Sequence, residues 1–248
     1  MSKFYGIGVG PGEPELITLK ALNALKEADI IFTPKASVKS ESLARTIVEG
    51  LLPEGANFFE LEFPMTKDET ELRKRYLASA HLIADNIKNG KPVAYLTIGD
   101  PLLYSTYIYL LRALAEVAPD LTIETIPGIA AYSAIASRLG FSLAEKNERL
   151  CICPVPTGAG AMEELRKIIE LHDTIVIMKV AKKLTEVLDL IEEMGLTSTT
   201  AFGSRIGLPD EKVLDGNNEG FDLSAKEGYL STIIVRKGQR HADPSEAK

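Results

Sequence analysis

The stretch TIGDPLLYST (97–106) concentrates the side chains of this sequence that are best suited to bind a polar ligand. Asp100 follows VAYLTI (93–98), a β-branched and aromatic run that predicts a central strand. Ligands of open α/β sheets bind outside the carboxyl ends of the strands, where a carboxylate accepts hydrogen bonds from hydroxyl or amine groups. The alternative is that Asp100 caps the next helix, with Pro101 at its first position. The polar residues beside it are Tyr104, Ser105 and Thr106.

Two further turns combine glycine with proline. The first, GIGVGPG (6–12), does not match the dinucleotide fingerprint G-x-G-x-x-G, because Pro11 or Glu13 falls on its last glycine. No Gly-Lys-Ser/Thr follows, so a P-loop is excluded as well. Pro11 between two glycines predicts either a plain strand-to-helix turn or a rigid turn that a flat ligand can approach. The second, IPGIAAYSAIASRLG (126–140), leads into a helix of small residues, which suit a cofactor or close helix packing.

Apolar strands and amphipathic helices alternate along most of the chain, which predicts an α/β protein with a mostly parallel sheet. Pro34 is expected to end the second strand. Near the end, the strand-like runs TTAFGSRI, EKVLDG and YLSTIIVRK follow one another and predict a mixed sheet with antiparallel edges. With Pro119-Asp120 as the linker, the expected parts are an N-terminal α/β domain at 1–118, a C-terminal α/β domain at 119–238 and a polar tail at 239–248.

Composition narrows the classes of function. Of the 248 residues, 45% are apolar and 25% are charged, which is typical of a folded soluble protein. The 28 basic and 35 acidic residues give a net charge of −7, which argues against binding to nucleic acid. Neither a signal peptide nor a membrane-spanning run is visible, so we expect a cytoplasmic protein without membrane contact.

No metal site is expected. The two cysteines, Cys151 and Cys153, lie in the apolar run LCICPV and are expected to be buried and reduced. His81, His172 and His241 are far apart in the sequence and lack metal-ligand spacing.

Three segments together resemble a known family. GVGPGEPELITLKA (8–21), GDPLLYST (99–106) and PGIAAYSA (127–134) are similar, in order and spacing, to the tetrapyrrole (corrin/porphyrin) methylases. The resemblance covers the chain to about residue 238, although Glu13 stands where the family often has aspartate. GDPLLYSTYIYLL, VPTGAG, IMKV and YLSTIIVRK are most similar to the subfamily that methylates C20 of precorrin-2 or cobalt-factor II in cobalamin biosynthesis.

The resemblance implies two unlike α/β domains with a cleft between them for the cofactor and the substrate. The implied cofactor is S-adenosylmethionine, released as S-adenosylhomocysteine. The family's cofactor positions that this sequence matches are Pro11, Thr97, Gly99, Asp100, Leu103, Ser105, Thr106, Ala130, Ala131, Met178, Phe202, Gly203 and Thr232.

The implied substrate is a flat tetrapyrrole with many propionate and acetate groups, so its site needs cations despite the net charge. The candidates are Lys35, Lys179 and Arg205, whereas the adjacent lysines at 182–183 are better explained as solvated surface charges. Direct methyl transfer needs mainly alignment and exclusion of water. Candidates for a base that removes the C20 proton are Asp100, Tyr104 and Tyr132. The family also implies a homodimer.

Other functions remain open from the sequence. Within the family these are methylation of another ring position, diphthine synthesis and ribose methylation of ribosomal RNA, the last of which the acidic composition disfavours. Outside it, a nucleotide-binding oxidoreductase is disfavoured by the failed glycine fingerprint. A pure binding module is the third possibility.

Overall fold

The computed structural model describes residues 3–35, 42–63, 66, 68–88, 90–218 and 220–238. The chain divides into two compact units, Met1–Ala130 and Ala131–Lys248. This boundary lies later than the predicted one at 118/119, because the strand at 123–126 pairs with the N-terminal strand of the first unit. Pro119-Asp120 therefore forms a turn inside the first unit and is not a linker. The predicted polar tail, 239–248, lies outside the described residues.

The first unit has a parallel sheet of five strands with helices in the connections. Its strands are β1 (Phe4–Gly8), β2 (Ile30–Lys35), β3 (Phe58–Glu62), β4 (Val93–Thr97) and β5 (Ile123–Ile126). Its α-helices are α1 (Leu19–Glu27), α2 (Leu43–Val48), α3 (Glu69–Lys88) and α4 (Tyr107–Val117), with 3₁₀ turns at Pro14–Leu16 and Glu49–Leu51.

The strand order in this sheet is β3-β2-β4-β1-β5, and each neighbouring pair is parallel. Every residue of β1 and β4 is buried, which explains why both segments are continuous apolar runs. Phe4, Tyr95 and Leu110 belong to one core that the sheet shares with α3 and α4. The consequence for function is that the carboxyl ends of β4, β1 and β5 lie side by side.

Strand β2 continues through Pro34 to Lys35, so the expectation that this proline ends the strand is wrong. The N–H of Ile31 donates to the carbonyl of Asn57, on the β3 side of the strand. Because successive N–H groups point to alternate sides, the N–H of every second residue from Ile31 points to that same side. The missing N–H of Pro34 therefore faces the β4 side, where the pairing with β2 ends at Phe32. A proline is tolerated where no ladder hydrogen bond is lost.

The second unit has a mixed sheet, as the sequence predicts. Its strands are β6 (Leu150–Pro154), β7 (Thr174–Met178), β8 (Thr200–Ser204), β9 (Lys212–Asp215) and β10 (Ser231–Arg236). These five strands, numbered along the chain, lie in the order β6-β7-β10-β8-β9. Only the first pair in this order is parallel, and the other three pairs are antiparallel. Its α-helices are α5 (Ala131–Leu139), α6 (Ala161–Leu171) and α7 (Leu184–Glu193), with 3₁₀ turns at Ala181–Lys183, Thr197–Thr199 and Ala225–Gly228. The two units are thus unlike α/β structures.

None of the helices among the described residues combines the length and the apolar character needed to cross a membrane. In the same ranges, no three His, Cys, Asp or Glu side chains are grouped so that they could hold a metal ion. Cys151 and Cys153 carry free thiols, and both are half-buried rather than fully buried as expected. Burial, with the Cys151 thiol next to it, raises the pKa of Cys153 to about 12, so this group is a neutral and unreactive thiol.

Candidate functional site

Three turns of the first unit meet where β4, β1 and β5 end. The contacts are between backbones, and they leave no room for side chains at two glycines. A Cβ atom on Gly8 would lie 2.5 Å from the carbonyl oxygen of Gly99 and 2.7 Å from the nitrogen of Gly128. A Cβ atom on Gly128 would lie 2.2 Å from the same Gly99 oxygen. The three glycine-containing segments singled out in the sequence therefore form one cluster, which we call the three-turn cluster.

Backbone hydrogen bonds connect the first two turns of this cluster. Val9 N donates to the carbonyl of Thr97 at 2.9 Å, and Gly99 N donates to the carbonyl of Gly10 at 2.8 Å. Gly10 and Gly99 have φ angles of +81° and +69°, a region that glycine enters without strain. Pro11, which follows Gly10, is buried. A Cβ on Gly99 would meet no atom within 4 Å, so open space adjoins the backbone at this point.

Asp100 connects the second turn to the third. Its Oδ1 accepts the N–H of Leu102 at 2.9 Å, and its Oδ2 accepts the N–H of Gly128 at 3.2 Å. The alternative that Asp100 caps the following helix is wrong, because α4 begins at Tyr107 with Thr106 as its N-cap. Both carboxylate oxygens therefore hold backbone N–H groups of the three-turn cluster.

A layer of hydroxyl groups lies beneath these turns. Thr97 Oγ1 is 2.8 Å from Ser105 Oγ, and Ser105 Oγ in turn accepts the N–H of Tyr107 at 3.1 Å. Tyr95 OH is 3.1 Å from Thr106 Oγ1. Burial raises the pKa of Tyr95 and of Tyr107, so both phenols stay protonated. Three predicted cofactor residues, Thr97, Ser105 and Thr106, thus use their hydroxyl groups in this layer.

Sequence reasoning missed three members of this layer, Tyr95, Tyr107 and Thr125, and the glycine that makes room for Tyr107. Tyr107 OH is 2.7 Å from Thr125 Oγ1 across the sheet. A Cβ on Gly6 would lie 2.1 Å from the ring of Tyr107, so only glycine fits at that position. The signal in the sequence was the glycine at an inward position of a buried strand, which often marks the close approach of another group.

The remaining predicted residues of the first unit border the same turns. Leu103 N approaches the carbonyl of Asp100 at 3.4 Å, and its side chain is half-buried. Tyr104 has φ +54°, a left-handed conformation that is unusual for a residue other than glycine, and its side chain is 37% exposed. Ala130 is buried at the end of the segment that follows Gly128.

In the second unit, three predicted cofactor residues come together where strands β7 and β8 end and β10 begins. Thr232 is paired with Met178 on one side and with Gly203 on the other, so the three residues share a face. A Cβ on Gly203 would lie 2.5 Å from Ile135, which shows that α5 covers this face.

Two other predicted residues, Ala131 and Tyr132, open α5 and are half-buried. Phe202 does not join this face. Its side chain is fully buried in the core on the opposite face, together with Ile177 and Ile233. Because neighbouring strand residues point to opposite faces, a contact of Phe202 with the cofactor would have to come from its backbone.

Two of the three predicted substrate cations already pair with carboxylates. Lys35 Nζ lies 2.7 Å from Glu60 Oε2 on the neighbouring strand, and Arg205 Nε lies 2.5 Å from Asp210 Oδ2. The hydrogen bond with Arg205 lowers the pKa of Asp210. Lys179 follows β7 with φ +58°, and its side chain is exposed. Lys35 and Arg205 therefore each face a carboxylate, and all three cations stay predicted residues of the substrate site.

Comparison with known proteins identifies the family of the chain. Residues 3–221 match the family described as Tetrapyrrole (Corrin/Porphyrin) Methylases. The chain is 36% identical to the probable cobalt-precorrin-2 C(20)-methyltransferase of Methanocaldococcus jannaschii, over 97% of this chain and 98% of that protein. It is 31% identical to the cobalt-precorrin-2 C(20)-methyltransferase of Salmonella typhimurium, over 97% of this chain and 99% of that protein.

Solved structures show the same fold. A cobalt precorrin-4 methyltransferase of cobalamin biosynthesis matches with a TM-score of 0.70 and 20% identity, over 94% of each chain. The uroporphyrin-III C-methyl transferase of Thermus thermophilus, complexed with S-adenosyl homocysteine, matches with a TM-score of 0.63 and 20% identity, over 95% of this chain and 98% of that one. Since the family match spans most of the sequence and includes all three turns, this chain belongs to the tetrapyrrole (corrin/porphyrin) methylase family.

Proposed function

We propose that this protein transfers a methyl group from S-adenosylmethionine to the C20 meso carbon of precorrin-2 or cobalt-precorrin-2. The observation that carries the proposal is the identity of 36% and 31%, over nearly the whole chain, to relatives named for that reaction. When bound, S-adenosylmethionine supplies an activated methyl group on a sulfonium centre. The meso carbon is enamine-like and nucleophilic, so no covalent intermediate with the protein is needed.

The three-turn cluster fits a cofactor of this kind. Gly8, Gly99 and Gly128 bring backbone rather than side chains to the carboxyl ends of three adjacent strands, and open space adjoins Gly99. A ligand can thus approach main-chain N–H and C=O groups directly. We propose that these turns hold the cofactor, with Pro11 and Leu103 beside them. The family resemblance implies that Met178, Gly203 and Thr232 contact the cofactor as well.

We propose that Asp100 positions the site and does not act as its base. Its two oxygens accept the N–H groups of Leu102 and Gly128, so the carboxylate keeps the second and third turns in register. Alignment of the reacting atoms is the main requirement of a direct displacement, and fixed turns provide it. Tyr104 and Tyr132 remain the candidates for removing the C20 proton after methyl transfer.

The position of the new methyl group tests this function. The purified protein is incubated with ¹³C-methyl S-adenosylmethionine and, separately, with precorrin-2, cobalt-precorrin-2 and uroporphyrinogen III. We expect one label, attached to the C20 meso carbon, in carbon-13 NMR spectra of the product from one or both precorrins. A label on an sp³ ring carbon that carries an acetate chain would assign the protein to another reaction of the family. No label on any tetrapyrrole would overturn the proposal.

The family resemblance also implies a homodimer, and we propose that the protein is a homodimer in the cytoplasm. Light scattering of the purified protein measures the first point. We expect twice the chain mass of 27.0 kDa, and a single-chain mass at micromolar concentration would contradict it.

A further inference from the structure

Three adjacent strands of the second sheet are flanked by residues with positive φ angles at the same end of the sheet. Lys179 follows β7, Arg205 follows β8 and Leu230 precedes β10, and their φ angles are +58°, +51° and +52°. Because Thr232 pairs with both Met178 and Gly203, Lys179, Arg205 and Leu230 lie at the same end of the sheet. Residues other than glycine adopt this conformation at a free-energy cost, and such residues cluster where a protein contacts a ligand.

The segment before β10 is held firmly. Ser224 and Glu227 form a reciprocal cap, in which Ser224 N donates to Glu227 Oε2 at 3.0 Å. A Cβ on Gly228 would lie 2.2 Å from the carbonyl oxygen of Ala181, so the 3₁₀ turns at 225–228 and 181–183 are in backbone contact. Arg205 N donates to the carbonyl of Leu230 at 3.1 Å.

This rigid segment presents two apolar side chains to the surface. Tyr229 is 54% exposed and Leu230 is 37% exposed, although the backbone of both is fixed by the contacts above. An exposed aromatic and an exposed aliphatic side chain on an ordered turn provide a small apolar platform. We call Tyr229 and Leu230 the platform.

The charges around the platform are mostly positive. Three lysines of the adjoining segments have exposed side chains, and two acidic side chains of these segments face other basic residues. Glu227 is 3.5 Å from Lys212, and Glu186 is 3.2 Å from Lys183. The exposed lysines are Lys179, Lys182 and Lys226. In a chain of net charge −7, this local excess of cations complements a polyanion.

We propose that the platform contacts the flat apolar face of the tetrapyrrole and that Lys182 and Lys226, with Lys179, contact its carboxylates. The inference rests on the proposed function and adds to it Tyr229 and Leu230 as residues that determine affinity for the macrocycle. The ligand class is a flat macrocyclic polycarboxylate, because an apolar surface flanked by ammonium groups matches that chemistry on both counts.

The test compares Tyr229→Ala and Leu230→Gly with matched exposed residues elsewhere. Leu230→Gly removes the side chain but permits the positive φ angle. The controls are Tyr109→Ala on α4, where Tyr109 is 53% exposed, and Leu171→Ala at the end of α6, where Leu171 is 67% exposed. For each protein, the KM for the precorrin substrate, the Kd for fluorescent uroporphyrin III and the calorimetric Kd for S-adenosylhomocysteine are measured.

We expect both platform variants to raise the KM and the uroporphyrin III Kd about tenfold while the S-adenosylhomocysteine Kd stays within twofold. Tyr229→Phe should restore wild-type values, because it keeps the ring. If an active wild-type protein and both platform variants share the same KM and Kd, the inference is overturned and the proposed function stands. If the wild-type protein methylates no tetrapyrrole, the proposed function fails and the inference with it. The two platform variants are separate proteins, so a folding failure in one leaves the other to decide.

Discussion

At the scale of single residues, Asp100 shows how one side chain serves two turns. Its carboxylate accepts the N–H of Leu102 within its own turn and the N–H of Gly128 from the next strand connection. A charged acceptor makes these bonds stronger than neutral ones. The side chain is therefore a structural part of the proposed cofactor site rather than a free carboxylate beside it.

Replacing Asp100 should weaken cofactor binding without unfolding the protein. We expect Asp100→Ala to raise the calorimetric Kd for S-adenosylhomocysteine about tenfold to a hundredfold, because roughly 1.5–3 kcal/mol of charge-assisted hydrogen bonding is lost. Asp215→Ala is a matched control, since Asp215 Oδ1 also accepts a backbone N–H two residues on, from Asn217 at 2.9 Å. An unchanged affinity in folded Asp100→Ala would remove this residue from the site.

Arg236 is the corresponding structural residue of the second unit. Its side chain is only 1% exposed, and its Nη1 donates to Glu148 Oε2 at 2.7 Å and to Thr174 Oγ1 at 3.2 Å. The guanidinium thus ties β10 to β7 and to the segment that precedes β6. A buried charge of this kind is stable only while its carboxylate partner remains ionised.

The hydrogen bond from Arg236 makes the stability of the protein sensitive to acid through Glu148. It lowers the pKa of Glu148, although burial partly opposes the shift. Since the pKa is lower in the folded state, the pair stabilises the fold above the ordinary value of 4.5 and loses this contribution as the pH falls through the lowered pKa.

Urea unfolding at pH 7 and pH 4 measures this contribution. We expect Glu148→Gln to lose about 1–3 kcal/mol of unfolding free energy at pH 7 and to show a smaller drop at pH 4 than the wild type. Glu163→Gln, an exposed carboxylate on α6, should behave like the wild type. Equal drops at pH 4 for the Glu148→Gln variant and the wild type would contradict the assignment.

At the scale of elements, the first unit depends on three strand ends that lie close enough for their turns to touch. Gly8, Gly99 and Gly128 belong to different connections, and their backbones are in van der Waals contact. Each turn is unremarkable by itself. The cluster exists because the strand order places β4, β1 and β5 next to each other.

A methyl group added inside this cluster should disturb both stability and binding. A Cβ on Gly128 would lie 2.2 Å from the Gly99 carbonyl oxygen, so the turns must separate. We expect Gly128→Ala to lower the unfolding free energy by about 1–3 kcal/mol and to weaken S-adenosylhomocysteine binding in calorimetry. Gly50→Ala is the control, because a Cβ there meets no atom within 4 Å. Wild-type affinity in Gly128→Ala would show that the cluster does not hold the cofactor.

The small residues in the middle of helix α5 serve packing against its own sheet. The sequence left open whether the alanines admit a cofactor or serve packing. Ala134, Ile135 and Ala136 are all buried, and Ile135 contacts the position of Gly203 on β8. The small residues in the middle of the helix thus let it lie close to its own sheet, while Ala131 and Tyr132 at its start stay half-buried.

At the scale of the whole molecule, the distribution of charge matters more than its sum. A net charge of −7 opposes a polyanionic substrate at long range, so binding must depend on local cations. Lys35 and Arg205 face carboxylates, and the exposed lysines around the end of β7, Lys179 and Lys182, are further local cations.

Lys179→Ala should therefore separate the two binding events. We expect it to weaken uroporphyrin III binding about tenfold at low salt while the Kd for S-adenosylhomocysteine stays nearly unchanged, and added salt should reduce the difference by screening. Lys167→Ala, an exposed lysine that pairs with Glu163 on α6, is the control. Equal loss of both affinities, or no loss of either, would contradict the role of Lys179.

The sequence by itself determined the α/β class, the mixed second sheet and the three turns that carry the family resemblance. These properties depend on local patterns: continuous apolar runs for buried strands, and glycine with proline where a strand ends. It also singled out Asp100, because this acid follows a central strand at the end where ligands of α/β sheets bind.

Only the tertiary structure decided which of these parts meet, because hydrogen-bonding and ion-pair partners far apart in sequence leave no local pattern. The pairing of β5 with β1 moved the unit boundary to Ala130/Ala131 and brought Gly128 onto Asp100. Strand register turned Phe202 into the core. Partners on other elements, Glu60 for Lys35 and Glu148 for Arg236, decided which cations stabilise the fold.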